Sequence, residues 1–594
     1  MDEDVYEVRE QNEYRYLVQE EDAEVQYCRR TYVSPFLLLS RRCLFLIGCG
    51  VLSLLVLAGY LAYVAQTPLH GLARVHTDCG ELQGLKKGQA YAFKGIPYAE
   101  PPVGERRWRP PADLQGPLCW KGLYDATRPR HACAQVQPLE QTGQVMGEED
   151  CLHLNVWTPT LEAEARLPVM VWVHGGYLHM LSGLEKGYSP TEELAAQTGL
   201  VYVSFNYRLN AFGFLALELL RQGSPSNTSG NYGFMDQISA LRWVQRNIHV
   251  FGGDPGRVTI FGQSSGGTSV WTLMTSPLAK GLFHRAIDMS GSYIYSGSLE
   301  SAEKDNLIFL NMSGCQDLAC LHKLSKTQIL QAIPWKEYPS WAGGDLTDLP
   351  TKGGFVGPVA VVDGHVLLDT PFNTWESGSG YSDVPFVVGT TEQEADFSPI
   401  YENISTWIWD DYRWFVTEKL SPFDASLPKE ALELYPTSDW CPTNDRCPER
   451  QYTTMVSDLR VTCPNNDLAS RAARALRSPV YRYVVTHTPS KEANTSPLIP
   501  FSARFSFHGL DILAFFRGLR GELGQMSPAD QSFQDIITTN FVDFAKTGKM
   551  PDTWPQYPSH MALLSSNFTV IQNYSSARCI LWEEKGFFPY AWAN

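Results

Sequence analysis

The chain is short of positive charge: 48 Lys and Arg face 64 Asp and Glu across 594 residues, a formal net charge of −16. That balance disfavours a phosphate-binding surface and sets nucleic-acid binding aside. There is no low-complexity block, no short-period repeat and no Pro/Ser linker dividing residues 75–594. What is plentiful is apolar and aromatic: 44% hydrophobic and 12% Phe, Trp and Tyr, which excludes a disordered chain and supplies a large core. The length excludes a small disulfide-stapled module and suggests three or four domains on size alone.

One stretch has no charge at all. Residues 43–65, CLFLIGCGVLSLLVLAGYLAYVA, are 23 consecutive uncharged positions. At about 1.5 Å per residue they cross a hydrocarbon core of roughly 30 Å. A cleaved signal peptide would start nearer the N-terminus with a shorter apolar region. The segment is therefore expected to be a transmembrane signal anchor following an acidic, disordered tail over 1–42. Arg29, Arg30, Arg41 and Arg42 precede the span, and only Arg74 lies close after it. Positive flanks stay cytoplasmic, so residues 66–594 are expected on the extracellular or lumenal side of a single-pass type II membrane protein. Of 13 cysteines, Cys28, Cys43 and Cys49 fall in the tail or span, leaving an even number outside, as disulfides in an oxidising compartment require. Sequons at Asn227, Asn311, Asn403, Asn494, Asn567 and Asn573 all fall in that outer part. Tyr14–Leu17 (YRYL) fits a sorting signal as well as an ordinary polar tail, and Cys28, Cys43 and Cys49 are acceptors for palmitoylation.

In the outer part, apolar strand-like runs at 167–175, 200–208, 257–262, 384–391 and 479–487 alternate with helical patterns at 235–250, 266–276 and 531–548. Continuous apolar strands separated by helices predict an α/β fold with a mostly parallel sheet. The sharpest local motif is Gly262-Gln263-Ser264-Ser265-Gly266, a G-x-S-x-G between an expected strand and an expected helix. Such a turn lifts a serine hydroxyl above the sheet, flanked by glycines that permit the bend. A serine needs a base, and the base an orienting acid, in the chain order Ser, acid, His. His508 sits in a loop-like stretch beside Gly509, while Glu392, Glu394 and Asp396 all follow the strand 384–391, so spacing leaves the acid open. His174-Gly175-Gly176-Tyr177 follows the strand 167–173, where backbone N–H groups of Gly175 and Gly176, with that of Ser265, would form an oxyanion hole.

These residues resemble the type-B carboxylesterase/cholinesterase family of α/β-hydrolases. The resemblance runs through Phe93–Ala99 with Pro101–Gly104, Glu149–Val156, Asn206–Arg208 with Phe212–Phe214, Phe251–Pro255, the Ser264 turn, and Asn540-Phe541 with Phe544–Gly548. It covers nearly all of 75–590 and implies one α/β-hydrolase domain rather than several. It implies Ser264 as nucleophile, Glu394 as acid and His508 as base of an ester hydrolase needing neither metal nor organic cofactor. It also implies the disulfides Cys133–Cys151, Cys315–Cys320 and Cys463–Cys579. Cys441–Cys447 then pair by proximity and Cys79–Cys119 by elimination. Three departures stand out: Tyr177 where the family has a glycine or small residue, Gln263 where it has Glu, and Ser265 where it has Ala. No Trp lies between Cys133 and Cys151 to hold a choline cation, so choline esters are not expected. The family also contains single-pass adhesion proteins without an intact triad. That is the alternative: a catalytically weak or inactive ectodomain binding a protein partner or a second copy.

Overall fold

The computed structural model describes residues 49–58, 71–137, 142–293, 296–335, 346, 359–397, 403–438, 446–494, 502–572 and 576–591. The chain divides into two units, Met1–Pro68 and Leu69–Asn594. In the first, residues 49–58 are helical and their apolar side chains, Leu52, Leu54, Leu55 and Val56 among them, are exposed. Among the described residues no helix is long and apolar enough to cross a membrane. The remainder of the expected span, the acidic tail, Cys28, Cys43, Cys441 and Asn573 lie outside the described residues.

The second unit is built on one sheet. Its strands in chain order are β1 (Gly71–Thr77), β2 (Gly80–Lys87), β3 (Ala90–Pro97), β4 (His153–Thr158), β5 (Leu167–Val173), β6 (Val201–Phe205), β7 (Gly253–Gln263), β8 (Arg285–Met289), β9 (Phe386–Thr391), β10 (Val480–Val485), β11 (Met561–Leu564) and β12 (Phe568–Ile571). Their spatial order is β1-β2-β3-β4-β6-β5-β7-β8-β9-β10-β11-β12, with Tyr124–Asp125 pairing beside β2. From β6 through β11 neighbouring strands are parallel, and the outer pairs are antiparallel.

The parallel strands are buried on both faces, which is why they read as unbroken apolar runs. In β5, Val169, Val171 and Val173 enter one core while Met170 and Trp172 enter the other. Helix α1 (Glu192–Thr198) packs on the Trp172 side, and α2 (Tyr232–Asn247) and α3 (Ser265–Thr275) on the other. Residues Ile238, Leu241 and Val244 of α2 point inward, as their helical spacing predicts. The helix starts at Tyr232 and gives way to a tighter turn over Ile248–Phe251, so the expected 235–250 was displaced toward the N-terminus. The strand expected over 200–208 stops at Phe205; the next residue, Asn206, bonds Gly183 N and His131 O through its side-chain amide.

Beyond the central strands lie α4 (Cys447–Ser457), a wide π-type turn over Asp458–Thr462, α5 (Cys463–Ala475), α6 (Leu510–Phe515) and α7 (Pro528–Thr547). Helix α7 begins with a reciprocal cap between Ser527 and Asp530 and ends at Gly548, whose φ of 75° suits glycine. Phe533, Ile537, Phe541 and Phe544 give α7 one apolar face in the Trp172 core. A third cluster, around Tyr412, Tyr452, Leu459 and Trp582, also takes in Ala395, the residue after Glu394. Disulfides join Cys79–Cys119, Cys133–Cys151, Cys315–Cys320 and Cys463–Cys579; Cys447 is also disulfide-bonded.

Candidate active site

The bend between β7 and α3 has no room for side chains at its glycines. A Cβ on Gly262 would lie 2.2 Å from Gly266 O, and one on Gly266 would lie 2.1 Å from Val173 O. Ser264 between them has φ 60° and ψ −131°, a backbone region L-residues avoid, at a cost of about 1–3 kcal/mol. The turn is held by Ser264 N donating to Met289 O at 2.8 Å and Thr268 N donating to Ser264 O at 3.0 Å. Ser265 is the first residue of α3, so its N–H has no carbonyl one turn earlier and is a free anion donor by helix geometry.

Glu394 lies in the turn after β9 and is fully buried. Its Oε1 accepts from Ser290 Oγ at 2.6 Å and from Thr391 N at 2.6 Å, and its Oε2 meets His508 Nδ1 at 2.5 Å. Among the three acids that spacing left open, it is Glu394 that touches the histidine. Asp396 instead accepts from Arg504 N at 2.8 Å and Phe505 N at 2.7 Å, and burial raises its carboxyl to about 8. Gln393 and Ser506 exchange two further bonds, each 3.0 Å. The acid turn and the histidine loop are thereby zipped together. From behind, Ser457 Oγ accepts from Ala395 N at 3.0 Å and Thr454 Oγ1 from Gln393 Nε2 at 2.9 Å. The histidine loop reaches the Ser264 turn through Gly509: a Cβ there would sit 3.5 Å from Gln263 Nε2. That amide nitrogen is buried with no hydrogen-bond partner among the described residues.

The loop after β5 presses on the same turn. A Cβ on Gly175 would lie 2.6 Å from Gln263 O and 3.0 Å from Ser264 Cβ. Gly176, at φ 107°, would drive a Cβ to 2.3 Å from Met180 O. Tyr177 and Leu178 follow with φ of 58° and 60°. The left-handed region that makes glycine favourable at position 177 is thus occupied by a tyrosine, at roughly 1–2 kcal/mol. Its phenol is buried, and burial, with the negative charge of Glu394 adding to it, pushes its pKa well up. His174 stacks on Tyr207 with centroids 4.4 Å apart, and burial lowers its pKa to about 4, so it is neutral.

Reading the sequence missed Ser290, whose hydroxyl holds Glu394, and Asp396 as a brace of the histidine loop. Neither carries a local motif; each acts across more than 100 residues of chain. Arg482 was also missed. It is fully buried behind the site, bonds Thr390 Oγ1 at 2.6 Å and Asn466 Oδ1 at 2.9 Å, and burial lowers it to about 10. Four of the six sequon asparagines, Asn227, Asn311, Asn403 and Asn567, are exposed.

A parallel sheet flanked by helices, with a strained serine turn at the end of a central strand and a buried carboxylate on an imidazole, defines an α/β-hydrolase-like protein suited to acyl transfer. The chain belongs to the carboxylesterase family, whose pattern matches residues 72–582. It is 32% identical over 514 residues to fumonisin B1 esterase of Sphingopyxis macrogoltabida, covering 83% of this chain and 86% of that protein. It is 32% identical over 438 residues to neurotactin of Drosophila melanogaster, covering 70% of this chain but 49% of neurotactin. Among solved structures it resembles a PNB esterase with a TM-score of 0.66 at 29% identity, covering 87% of this chain and 99% of that one.

Proposed function

We propose that this protein is a membrane-anchored serine carboxylesterase acting through Ser264, His508 and Glu394. The observation that carries the reading is the 2.5 Å contact of the buried Glu394 with His508 Nδ1, on a loop whose Gly509 lies beside Gln263, the residue before Ser264. His508 takes the Ser264 proton as Oγ attacks an ester carbonyl. Glu394 holds the ring in the tautomer with Nδ1–H and balances the imidazolium that forms. The N–H groups of Gly175, Gly176 and Ser265 receive the developing oxyanion. The alcohol leaves with the proton from His508, and water then cleaves the acyl-enzyme by the same route. The scheme needs no cofactor. The substrate class is a carboxylic ester, but not a choline ester. A fluorophosphonate probe on the full-length protein tests it: labelling lost in Ser264→Ala supports the reading, and a folded wild type that never labels overturns it.

A second reading, a partner-binding ectodomain with little hydrolysis, is favoured by one observation: Tyr177 stands buried in the oxyanion loop. Gln263 adds to it by removing a negative charge beside the histidine loop. A missing oxyanion donor costs about 2.7–4 kcal/mol, so hydrolysis is expected to be slow while Tyr177 stays in place.

The anchor belongs to the same proposal. It rests on the uncharged span 43–65, the arginines before it, and the described disulfides and exposed sequons, which lie in residues after it. Resistance to alkaline carbonate extraction, with glycosidase-sensitive mobility, supports a type II topology; extraction into the supernatant overturns it.

A further inference from the structure

Strands β8 and β10 place an acid and a base on one apolar face of the sheet. Asp288 lies in register with Val388 of β9, and Val388 with Arg482. Ala286, Phe386 and Val480, two residues before each, enter the core of Val171 together with Val388, so Asp288 and Arg482 project to that side. Arg482 is fully buried, and its hydrogen bonds among the described residues all go to neutral oxygens: Asn466 Oδ1 at 2.9 Å, Thr390 Oγ1 at 2.6 Å, Val388 O at 3.4 Å and Tyr483 O. A buried cation with no carboxylate in contact is costly to hold, and it calls for an opposite charge at longer range.

The bonds of the guanidinium lead toward Glu394. Arg482 Nη2 donates to Thr390 Oγ1, and the next residue, Thr391, donates its N–H to Glu394 Oε1, both at 2.6 Å. Four covalent bonds join that hydroxyl oxygen to that nitrogen, which caps the distance from guanidinium to carboxylate at about 10 Å. Glu394 faces three donors, Ser290 Oγ, Thr391 N and His508 Nδ1, the setting of an ionised carboxylate. His508 is its one ion-pair partner among the described residues, so while the imidazole is neutral no cation touches Glu394. Asp288 is the other acid near Arg482, but burial raises it to about 8, which leaves it protonated at neutral pH.

We propose that Arg482 is a positioning residue that acts through Glu394, as the buried counter-charge that keeps the resting pair as carboxylate and neutral imidazole. The inference rests on the reading of Glu394 and His508 as acid and base. A fixed cation favours the carboxylate and opposes the imidazolium. Removing it makes both groups easier to protonate, so the base is lost at a higher pH than in the wild type. The other titratable groups facing the pair and the guanidinium are Asp511 of α6, raised to about 6 by burial, and Tyr177, Tyr483 and Tyr557. Burial pushes Tyr177 and Tyr483 well up and keeps both phenols neutral.

The test uses the full-length chain as wild type, Arg482→Gln, Arg482→Lys and Asp288→Asn. His508 is titrated by NMR of ring-labelled histidine, its signal identified by its absence from His508→Gln. The rate of fluorophosphonate labelling is followed in parallel over about pH 5 to 9. Arg482→Gln is expected to raise the His508 midpoint and the acid limb of labelling by about 0.5–1 in pH, while Arg482→Lys, which keeps the charge, stays near wild type. Asp511 titrates in the same range, so wild type and Arg482→Gln are compared again with Asp511→Asn in both, and the difference must persist. A folded Arg482→Gln with an unmoved His508 midpoint overturns the proposal, whatever its melting temperature. Equal movement in Arg482→Gln and Arg482→Lys also overturns it, because hydrogen bonding rather than charge is then at work. A lower His508 midpoint in Asp288→Asn makes Asp288 the ionised partner of Arg482 and overturns it too. If Arg482→Gln fails to fold, Arg482→Met, which buries no polar group, takes its place with the same expected movement. If the midpoints move as expected while no variant labels, the nucleophile reading fails and the counter-charge stands.

Discussion

Replacing Glu394 by glutamine tests the centre of the mechanism, because the surrounding donors dictate how the amide must sit. Oε1 of the wild-type carboxylate accepts from two groups, Ser290 Oγ and Thr391 N, both at 2.6 Å. An amide NH2 cannot accept from the Thr391 N–H, so glutamine must put its oxygen there and turn its NH2 toward His508. Facing a donor, Nδ1 must become the acceptor, and the ring proton moves to Nε2. That is the nitrogen meant to take the serine proton, so the base is lost with its position unchanged. A wrong tautomer of this kind costs about 10⁴ in kcat. Side-chain volume is conserved and one buried charge is removed, so folding is expected to survive. The assay is hydrolysis of a p-nitrophenyl ester, with active sites counted by a stoichiometric organophosphate and folding checked by thermal denaturation. A kcat within about tenfold of wild type, in protein that melts like wild type, would falsify the assignment of Glu394 as orienting acid.

Tyr177→Gly removes the ring and suits the φ of 58°, and hydrolysis of a small ester is expected to rise about tenfold or more; an equal or lower rate sinks the idea that the ring obstructs the oxyanion site. Asp288 is fully buried, its Oδ2 has no partner among the described residues, and burial raises its carboxyl to about 8. An unfolded Asp titrates near about 4, so this group's stabilisation is complete below about pH 4 and is lost as pH rises toward 8. Asp288→Asn keeps an oxygen for Gly291 N without titrating, so its advantage over wild type in urea melts should grow from pH 5 to pH 8.5; a shrinking advantage contradicts the sign. The Cys463–Cys579 disulfide spans 116 residues. Replacing both cysteines with serine is expected to lower unfolding free energy by about 2–5 kcal/mol, read from denaturant midpoints, and a loss under about 1 kcal/mol would show that the crosslink constrains little.

Tyr177 gives the molecule its two-sided character. The Glu394–His508 contact and the Ser264 bend are geometries that strain and burial make expensive to hold without a use. Yet the loop that should receive an oxyanion carries a bulky ring in a conformation better suited to glycine. Slow ester turnover accommodates both facts, and so does a hydrolase scaffold turned toward binding. Labelling of Ser264 separates them.

Much of this was legible in short stretches of sequence, because those features depend on local sterics. Val169, Val171 and Val173 alternating with Met170 and Trp172 mark a strand buried on both faces wherever the chain puts it. Glycines at 262 and 266 permit a sharp bend in any context, and the spacing Phe533, Ile537, Phe541 and Phe544 makes an apolar helix face by itself. Tertiary structure decided what lies across chain distance. Spacing could not choose among Glu392, Glu394 and Asp396; the parallel register of β9 and β10 and the bonds between Gln393 and Ser506 turn one of them onto His508. Sequence also could not show that Ser265 reaches Leu178, or that Tyr177 adopts a positive φ. Local preference argues against that φ, and only contacts made from elsewhere in the fold can outweigh it.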